Sequence, residues 1–485
     1  MPSACEQCGE QSTEKLKRYE YIQPSGFAVD IRCKPHNDIS IPQYLPVRDP
    51  LISLEGSDWL PLPTSALGRY RFSNNGALFY RTDGLHGKGF ALCLRCGRAD
   101  AMTSDGELPD IFKEPHKRLR GGKDNDQELE CPGSHEDWPI KESLRMGVNI
   151  YTDVLELQLN QLNGQALDRE LAYSSGVALR LALARNLGID DQEIGTVVNS
   201  SRDTNGHQVY SIFLFDTAQG GAGYVKHALQ ELPTVFRHAQ KIVQCPKKCD
   251  TACQACLMDF NTQFHLDYLN SSRTLEFLND TYLNTFDLPV HFKVLGSNAK
   301  LEMEPLHMAI YRELQRMNIN DIRLYMNGNL KNWELLDWWM YQEMLPISKT
   351  GCNINLIVPK NLLKKLEIQQ KDELFVVIVS TRAKVCAVPQ KSMKKNKTQK
   401  SVKIIEMSND KKSVVWYASK QEGLTPGNNW GSGVNGTQYV RINNNKALGQ
   451  IPKDGVYIQP EELKKTKDYY SEIVITWKPM PQFLA

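Results

Sequence analysis

Hydrophobic and polar residues alternate in short runs over roughly the first 145 residues of the chain. A typical run is YRFSNNGALFYRT, residues 70–82, and glycine and proline are frequent between such runs. This pattern predicts short strands and loops. The charged stretch from about residue 113 to 133 predicts an exposed loop. We therefore expect a β-rich region over residues 1–145.

A different pattern begins at about residue 146. NIYTDVLELQL, residues 149–159, alternates as a strand does, and the residues after it repeat their apolar positions every three and four up to Gly188, as a helix does. HQVYSIFLFDT, residues 207–217, predicts another strand. GGAGYVKHALQEL, from residue 220, opens a helix, and further helix extends past Pro233. Residues 146–285 are therefore predicted to form a central α/β domain.

Helical and strand patterns alternate again after about residue 285. AIYRELQRM (309–317) and LLDWWMYQEML (335–345) predict helices, whereas DIRLYMNG (321–328) and CNINLIVP (352–359) predict strands. Such alternation favours an α/β unit with a partly parallel sheet. A lysine-rich loop, residues 391–403, interrupts this pattern, and strands dominate after it. Residues 286–485 are thus predicted to be a third domain.

Length, composition and charge agree with a mixed α/β multidomain protein. A chain of 485 residues corresponds to about three domains. Hydrophobic residues make up 41% and charged residues 24%, as in soluble globular proteins, and the formal net charge of +2 provides no bulk field for nucleic acid. The N-terminus lacks the pattern of a secretory signal, and no long apolar run occurs. We expect a soluble cytoplasmic chain with no membrane partner.

Four cysteines within twelve residues form the strongest chemical pattern. Cys245, Cys249, Cys253 and Cys256 have the spacing C-x3-C-x3-C-x2-C. In a cytosolic chain, four thiolates this close together indicate structural Zn²⁺, and an iron–sulfur cluster is the alternative. Four thiolates leave no open coordination position, so neither interpretation makes the metal catalytic.

A second zinc ion is predicted from the cysteines nearer the N-terminus, and two ligand sets remain open. In the first set, two C-x2-C pairs combine as in a zinc ribbon: Cys5, Cys8, Cys93 and Cys96. The second set combines the second C-x2-C pair with a histidine and a cysteine from the charged loop, all within 39 residues: Cys93, Cys96, His116 and Cys131. A zinc ion bound by this set would fix the position of the charged loop. We expect two zinc ions per chain.

Two segments are candidates for contact with phosphate. The glycine-rich turn DTAQGGAGY, residues 216–224, follows a strand and opens a helix, so its amides could hold a phosphate. The other interpretation, which we favour, is a tight turn for close packing. The lysine-rich loop carries six lysines without an intervening acid, and it is the predicted DNA contact: Lys391, Lys394, Lys395, Lys397, Lys400 and Lys403. The helix with Trp333, Trp338 and Trp339 is predicted to pack in the core.

The sequence offers little support for catalysis. No G-x4-G-K-[ST] motif is present, so the chain has no recognisable nucleotide-hydrolysing motif of its own. Phospholipase D chemistry needs H-x-K-x4-D, normally in two copies. HFKVLGSN provides one degenerate copy, with His291, Lys293 and, in place of the aspartate, Asn298. We therefore predict no catalytic residue.

Three segments together resemble the MrfA-type zinc-binding domain. They are TDVLELQL at 152–159, FDTAQGGAGY at 215–224 and CPKKCDTACQACLMDFNTQ at 245–263, and their order and spacing match over roughly residues 145–285. The upstream GFALCLRCGRA, residues 89–99, resembles the segment that precedes this domain. The domain occurs at the C-terminal end of certain superfamily 2 helicases and in separately encoded partners. Asp153 and Asp216, in the first two segments, take no role from the family and remain structural candidates.

The resemblance implies zinc ligation by Cys245, Cys249, Cys253 and Cys256. It also implies an antiphage defence or DNA-processing complex, similar to the DrmB component of DISARM or the C-terminal part of a Druantia helicase. The last 200 residues resemble a phospholipase D-like α/β fold without its catalytic motifs. The helicase motor is absent from this sequence, so a partner would supply it.

We therefore expect a non-enzymatic, zinc-binding accessory subunit that binds a superfamily 2 helicase and guides DNA. Two alternatives remain: a divergent phospholipase D-like nuclease, and a protein-interaction scaffold without nucleic-acid contact.

Overall fold

The structure of the chain is a computed structural model that describes most of residues 20–463. The described ranges are 20–26, 48–54, 59–113, 115–116, 118, 130–131, 140–203, 205–263, 265–389, 401–419, 425–427, 438–449 and 455–463. The chain divides into two compact units. Unit 1 comprises Met1–Ser57, Arg71–Ala228 and Thr234–Asn279, and unit 2 comprises Asp58–Tyr70, Leu229–Pro233 and Asp280–Ala485. The predicted division into three domains stays a prediction.

The first part of the described chain forms a sheet and four helices. The elements are β1 (Tyr21–Ile22), β2 (Arg48–Ser53), β3 (Leu60–Pro61), β4 (Gly68–Thr82), β5 (Phe90–Cys93), β6 (Ala99–Ala101), β7 (Ile140–Leu159), α1 (Arg169–Leu187), β8 (Ile194–Arg202), β9 (Gln208–Asp216), α2 (Tyr224–Gln230), α3 (Leu232–Val243) and α4 (Ser271–Phe277). The strand order is β2-β4-β7-β5-β6, and β9 pairs with β7 and β8. β7 runs through residue 145, which was predicted as a domain boundary.

β4 is longer than the short strands predicted for this region. It continues for 15 residues through the polar Asn74 and Asn75. Gly76 makes close packing possible, because a Cβ atom there would lie 2.5 Å from Cγ2 of Val154 in β7. The alternating run YRFSNNGALFYRT, residues 70–82, is therefore part of one long strand that begins at Gly68.

β7, α1 and β9 build the centre of unit 1. The last eight residues of β7 are all buried, and residues 154–157 among them pair with β9 in antiparallel register, with Leu155 opposite Leu214. The Asp168 carboxylate caps α1 by accepting a 2.9 Å hydrogen bond from the Leu171 amide, and Gly188 ends the helix in the left-handed conformation. A Cβ atom on Gly176 would lie 2.9 Å from the Thr196 hydroxyl, so α1 packs closely on β8. The predicted strands and the helix end at Gly188 are confirmed.

Unit 2 contains a second mixed sheet. Its elements are α5 (Asp280–Asn284), α6 (Val290–Lys293), β10 (Ala299–Glu302), α7 (Leu306–Arg316), β11 (Asp321–Tyr325), α8 (Trp339–Ser348), β12 (Asn353–Pro359), α9 (Lys360–Leu363), α10 (Ile368–Thr381), β13 (Lys384–Val388), β14 (Val402–Ser408), β15 (Ser413–Ala418), β16 (Tyr439–Asn444), β17 (Val456–Ile458) and α11 (Pro460–Leu463). The strand order is β10-β16-β15-β14-β11-β12-β13-β17, with β11, β12 and β13 parallel. The mixed α/β class is confirmed, and the phospholipase D-like fold stays a prediction.

The core of unit 2 lies on both faces of this sheet. Trp416 belongs to a large apolar cluster that includes residues of α7, α8 and α10, whereas the adjacent Tyr417 packs with Phe292 on the other face. Trp333 and Trp338 are buried in the large cluster, and Trp339 packs against it, which confirms their predicted core role. In the part of the chain that the structure describes, no helix is both long enough and apolar enough to cross a membrane.

Candidate metal centres

The four clustered cysteines come together in one group, which we call the compact site: Cys245, Cys249, Cys253 and Cys256. The sulfur atoms of Cys245 and Cys253 are 3.5 Å apart, and those of Cys249 and Cys256 are 3.6 Å apart. Tetrahedral Zn²⁺ with bonds of about 2.3 Å requires sulfur atoms about 3.8 Å apart. Sulfur atoms that ligate different irons of a cluster would lie farther apart, whereas all four sulfur atoms here lie within 4.8 Å of one another, so the group fits a single ion.

Local backbone structure positions the compact site directly after α3. The amide of Cys245 donates to the Val243 carbonyl as the helix ends, and the amide of Lys248 donates back to the Cys245 carbonyl over 3.0 Å. Lys248 has a φ of 50°, which turns the chain back toward the group. At the other end of the site, the Cys253 amide donates to the Cys256 sulfur over 3.2 Å. These two tight turns orient the thiols toward one point.

The thiols of the compact site differ in acidity. Hydrogen bonds from backbone amides, chiefly that of Cys249, lower the pKa of Cys245 to about 6. Burial raises the pKa of Cys256 to about 12. Zinc binds thiolates and releases their protons. Cys245 is therefore more readily ionised at neutral pH than Cys256, whose buried thiol depends on the ion for its charge.

A second group, which we call the split site, joins residues from distant parts of the N-terminal region: Cys93, Cys96, His116 and Cys131. The sulfur atoms of Cys93 and Cys131 are 3.8 Å apart, and Nε2 of His116 lies 3.3 Å from the Cys96 sulfur. The Cys131 amide donates to the His116 carbonyl over 2.8 Å. This set is one of the two that the sequence left open.

The split site is more buried than the compact site. Cys93, His116 and Cys131 are at most 4% exposed, and the ring of Phe112 contacts the imidazole edge-on at 5.1 Å. Nδ1 of His116 is buried without a hydrogen-bond partner among the described residues, so Nε2 is the nitrogen that faces the sulfurs. Three sulfurs and one nitrogen form a common structural zinc set. Cys5 and Cys8, of the other predicted set, lie outside the described residues.

The first two signature segments meet at one place. Asp216, the last residue of β9, is completely buried, and its carboxylate accepts hydrogen bonds from the amides of Ala222 (2.7 Å), Tyr224 (3.1 Å) and Val225 (2.9 Å). Residues 217–223, which we call the glycine turn, are therefore folded around this carboxylate. The interaction orients the start of α2, after which the chain continues through α3 to the compact site.

Asp153 lies on the other side of the glycine turn. Gly221 has a φ of 77°, and a Cβ atom there would lie 2.8 Å from the Asp153 carboxyl carbon. The hydroxyl of Thr152 donates to the Ala218 carbonyl over 2.8 Å. Burial, and secondly the nearby Asp216, raise the pKa of Asp153 to about 6. The turn amides already bind the chain's own carboxylates, which confirms the tight-turn interpretation over a phosphate site.

A buried arginine connects α1 to the segment after the compact site, a feature that sequence analysis missed. Arg180 is 1% exposed, and its guanidinium donates to the Asp191 carbonyl over 3.0 Å and to the Asp259 carboxylate. The other carboxylate oxygen of Asp259 accepts the amides of Asn261 and Thr262. The sequence feature that could have revealed this contact is the single arginine in the otherwise apolar run VALRLALA, residues 177–184.

Most residues of the predicted DNA contact lie outside the described residues: Lys391, Lys394, Lys395, Lys397 and Lys400. Lys403 is described and lies in β14. Its ammonium forms a 2.6 Å ion pair with Glu406 and lies 5.1 Å from the centre of the Tyr325 ring. The charge of this lysine is therefore partly balanced within the fold, and the role of the loop stays a prediction.

The degenerate phospholipase D motif falls on a short helix and the loop after it. His291 and Lys293 belong to α6, and Asn298 precedes β10. Lys293 and Asn298 are both exposed. Among the described residues, the two groups suited to bind a metal are the compact and split sites, and neither includes this motif.

Comparison with known proteins identifies the region around the compact site. Residues 176–257 match the family model of the MrfA Zn-binding domain, from Gly176 in α1 to the residue after Cys256. The chain is 26% identical over 225 residues to Druantia protein DruE of Escherichia coli (strain UMEA 4076-1), an alignment that covers 40% of this chain. It spans only 12% of that relative's length.

Two solved structures show distant similarity. One is the crystal structure of DUF1998 helicase MrfA bound to DNA. The match covers 48% of this chain and 25% of the helicase chain at 12% sequence identity, with a TM-score of 0.26. The other is the crystal structure of DUF1998 helicase MrfA bound to DNA and AMPPNP. That match covers 28% of this chain and 24% of the helicase chain at 14% sequence identity, with a TM-score of 0.18.

The predicted resemblance and the predicted zinc cofactor are confirmed. The matched domain is a Zn-binding domain, and the described residues contain two groups of four ligand side chains, each of which can hold one zinc ion. Which side chains bind each ion stays a prediction. With four protein ligands at each group, a bound zinc ion has no open position for water or substrate, so the ion would stabilise the fold.

Proposed function

We propose that this chain is a non-enzymatic, zinc-stabilised accessory subunit that binds a superfamily 2 helicase and guides DNA. The observation that carries the proposal is the compact site, which lies within the match to the MrfA Zn-binding domain and brings four thiols together around one point. Because a closed zinc site performs no chemistry, function resides in the surfaces that the zinc stabilises.

The similarity to Druantia protein DruE supports a place in a cytoplasmic antiphage defence complex of related composition. The aligned part corresponds to 12% of that protein. As an accessory subunit, the chain would act beside a motor protein and would contribute binding surfaces where the motor contributes ATP hydrolysis.

The test is reconstitution with a superfamily 2 helicase from the same genome. We expect the two purified proteins to elute as one complex in size-exclusion chromatography with light scattering, and the chain to increase DNA unwinding by the helicase. Separate elution together with unchanged unwinding would contradict the proposal.

The same preparation distinguishes the two alternatives. Cleavage of DNA by the purified chain that is lost in His291→Ala would favour the nuclease. A helicase complex that forms normally, combined with no salt-sensitive DNA binding by the chain, would favour the scaffold, because contacts to phosphate weaken steeply as salt rises.

A further inference from the structure

One stretch, which belongs to unit 1 except for residues 229–233, carries a local excess of positive charge in a chain that is nearly neutral overall. Between residues 217 and 249 the sequence contains five lysines and arginines but one acidic residue, Glu231, whereas the whole chain contains 58 basic and 56 acidic residues. Glu231 forms an ion pair with Lys300 at 3.8 Å. The stretch includes α3 and the first turn of the compact site.

α3 separates its apolar residues from its basic residues. Val235, Phe236 and Ala239 are completely buried, and Ile242 is nearly so. Arg237 and Lys241, four residues apart, lie on the opposite side of the helix, where Lys241 is exposed. α3 contains no acidic residue. The side of the helix that faces away from the core is therefore positively charged.

The first turn of the compact site continues this charge. The thiols of Cys245 and Cys249 point toward the ligand group, and the residues between them, Pro246, Lys247 and Lys248, are exposed. The hydrogen bond from the Lys248 amide to the Cys245 carbonyl fixes the turn. A metal ion would hold these two lysines on a rigid base rather than on a flexible loop.

The lysine charges are available to a ligand. Lys241, Lys247 and Lys248 are exposed, and among the described residues none of them forms an ion pair with an acidic side chain. The half-buried thiolates with zinc would carry a formal charge of −2, and the exposed Asp250 adds one negative charge. The side chains of Lys241, Lys247 and Lys248 are exposed, whereas the cysteine ligands are intermediate or buried, so an approaching anion can reach the lysines directly.

We infer that Lys241, Lys247 and Lys248, which we call the zinc-turn lysines, bind the phosphate backbone of a nucleic acid. This inference rests on the proposed DNA-guiding function and assigns it a surface on unit 1, separate from the lysine-rich loop of residues 391–403. Contacts of lysine with phosphate position a strand without reading its sequence, which suits a subunit that guides DNA.

The test replaces the three lysines by glutamine in the full chain. Binding to a labelled single-stranded oligonucleotide and to its duplex is measured by fluorescence anisotropy over a series of KCl concentrations. We expect the variant to bind about tenfold more weakly or worse at low salt, and the slope of log K against log salt to decrease by about two to three. Zinc content should stay unchanged, which separates lost contacts from a lost metal site.

Two further variants control for net charge. Lys349, Lys364 and Lys365 are exposed lysines of unit 2 without an ion pair to an acidic side chain among the described residues, and their triple replacement by glutamine should leave the slope unchanged. Asp250→Asn removes a negative charge beside the zinc turn and should tighten binding by about twofold or more. An equal effect of both lysine triples would indicate a general charge effect and overturn the inference.

A variant of the lysine-rich loop separates this inference from the proposed function. If replacing Lys391, Lys394, Lys395, Lys397 and Lys400 by glutamine removed the salt-dependent binding while the zinc-turn variant kept it, the inference would be wrong and the proposed function would stand. If the unmodified chain bound no DNA but still bound the helicase, both the inference and the DNA-guiding part of the proposed function would fall.

Discussion

The compact site and the split site each bring four ligand atoms within 4.8 Å, but they draw them from very different lengths of chain. The compact site uses residues 245–256, whereas the split site uses residues 93–131. Cys93, His116 and Cys131 are nearly inaccessible, whereas in the compact site Cys245, Cys249 and Cys253 are only partly buried. The short loops of the compact site cost less entropy to close, so local turns suffice to form it.

The two sites also depend on different secondary-structure elements to bring their ligand atoms together. Cys93 ends β5, which pairs with β7, while His116 and Cys131 are joined by a backbone hydrogen bond. The split site therefore requires the sheet to form first. The compact site requires α3, whose start depends on the glycine turn and Asp216. Four substitutions test these dependences.

The largest effect is expected from Cys253→Ser in the compact site. Loss of one thiolate should release its zinc and destabilise unit 1 by on the order of 5 kcal/mol, because structural zinc contributes directly to folding. Zinc content and the free energy of unfolding measure the change. Cys352→Ala, at a buried thiol outside both sites, is the control and should keep two zinc ions. A fully stable Cys253→Ser protein with unchanged zinc would show that the compact site is not a metal site.

A somewhat smaller effect is expected from His116→Ala in the split site. Three sulfurs remain, so we expect a loss of about 4 kcal/mol and a decrease from two zinc ions to one, with the compact site still occupied. Metal analysis of the purified variant measures this. The matched double variant Cys5→Ser/Cys8→Ser should retain both ions. The opposite result, with zinc lost from the double variant and kept by His116→Ala, would favour the zinc-ribbon set.

Arg180→Met tests how far the compact site depends on α1. The change leaves the Asp259 carboxylate without its guanidinium partner, and we expect a loss of about 3 kcal/mol in unfolding free energy. Zinc of the compact site should also leave faster in the presence of a chelator, while zinc of the split site is unaffected. Arg185→Met, at an exposed position of the same helix, should change stability by less than about 0.5 kcal/mol. Equal chelation rates in both variants would argue against this coupling.

The smallest effect is expected from Asp153→Asn beside the glycine turn. The folded-state pKa of about 6 lies above the unfolded value, so the ionised carboxylate destabilises the fold at high pH, and this penalty disappears as pH falls through 6 toward 4. The variant should be more stable than the original by about 1 to 2 kcal/mol at pH 8, with the difference shrinking toward pH 4. Denaturation at pH 8 and pH 4.5 measures this, with Asp105→Asn as an exposed control. A difference that does not vary with pH would contradict the assigned pKa.

Sequence patterns located the compact site and most of the elements around it. The cysteine spacing, the alternation in β7 and β9 and the periodicity of α1 are local properties, and each corresponds to a structure that adjacent residues form together. β4 is an exception, since its strand continues through the polar Asn74 and Asn75, and Gly76 beside them leaves room for the Val154 side chain. A single sequence cannot reveal that contact, because the two residues are 78 positions apart.

The amino-acid sequence by itself determined the zinc chemistry, the mixed α/β class and the resemblance to the MrfA Zn-binding domain, because short-range spacing and periodicity encode them. Tertiary structure alone brought His116 and Cys131 to Cys93 and Cys96, placed Asp153 against Gly221 and directed Arg180 toward Asp259. Strand pairing and burial create these contacts between residues far apart in the chain. The energy of each contact depends on neighbours that local sequence does not specify.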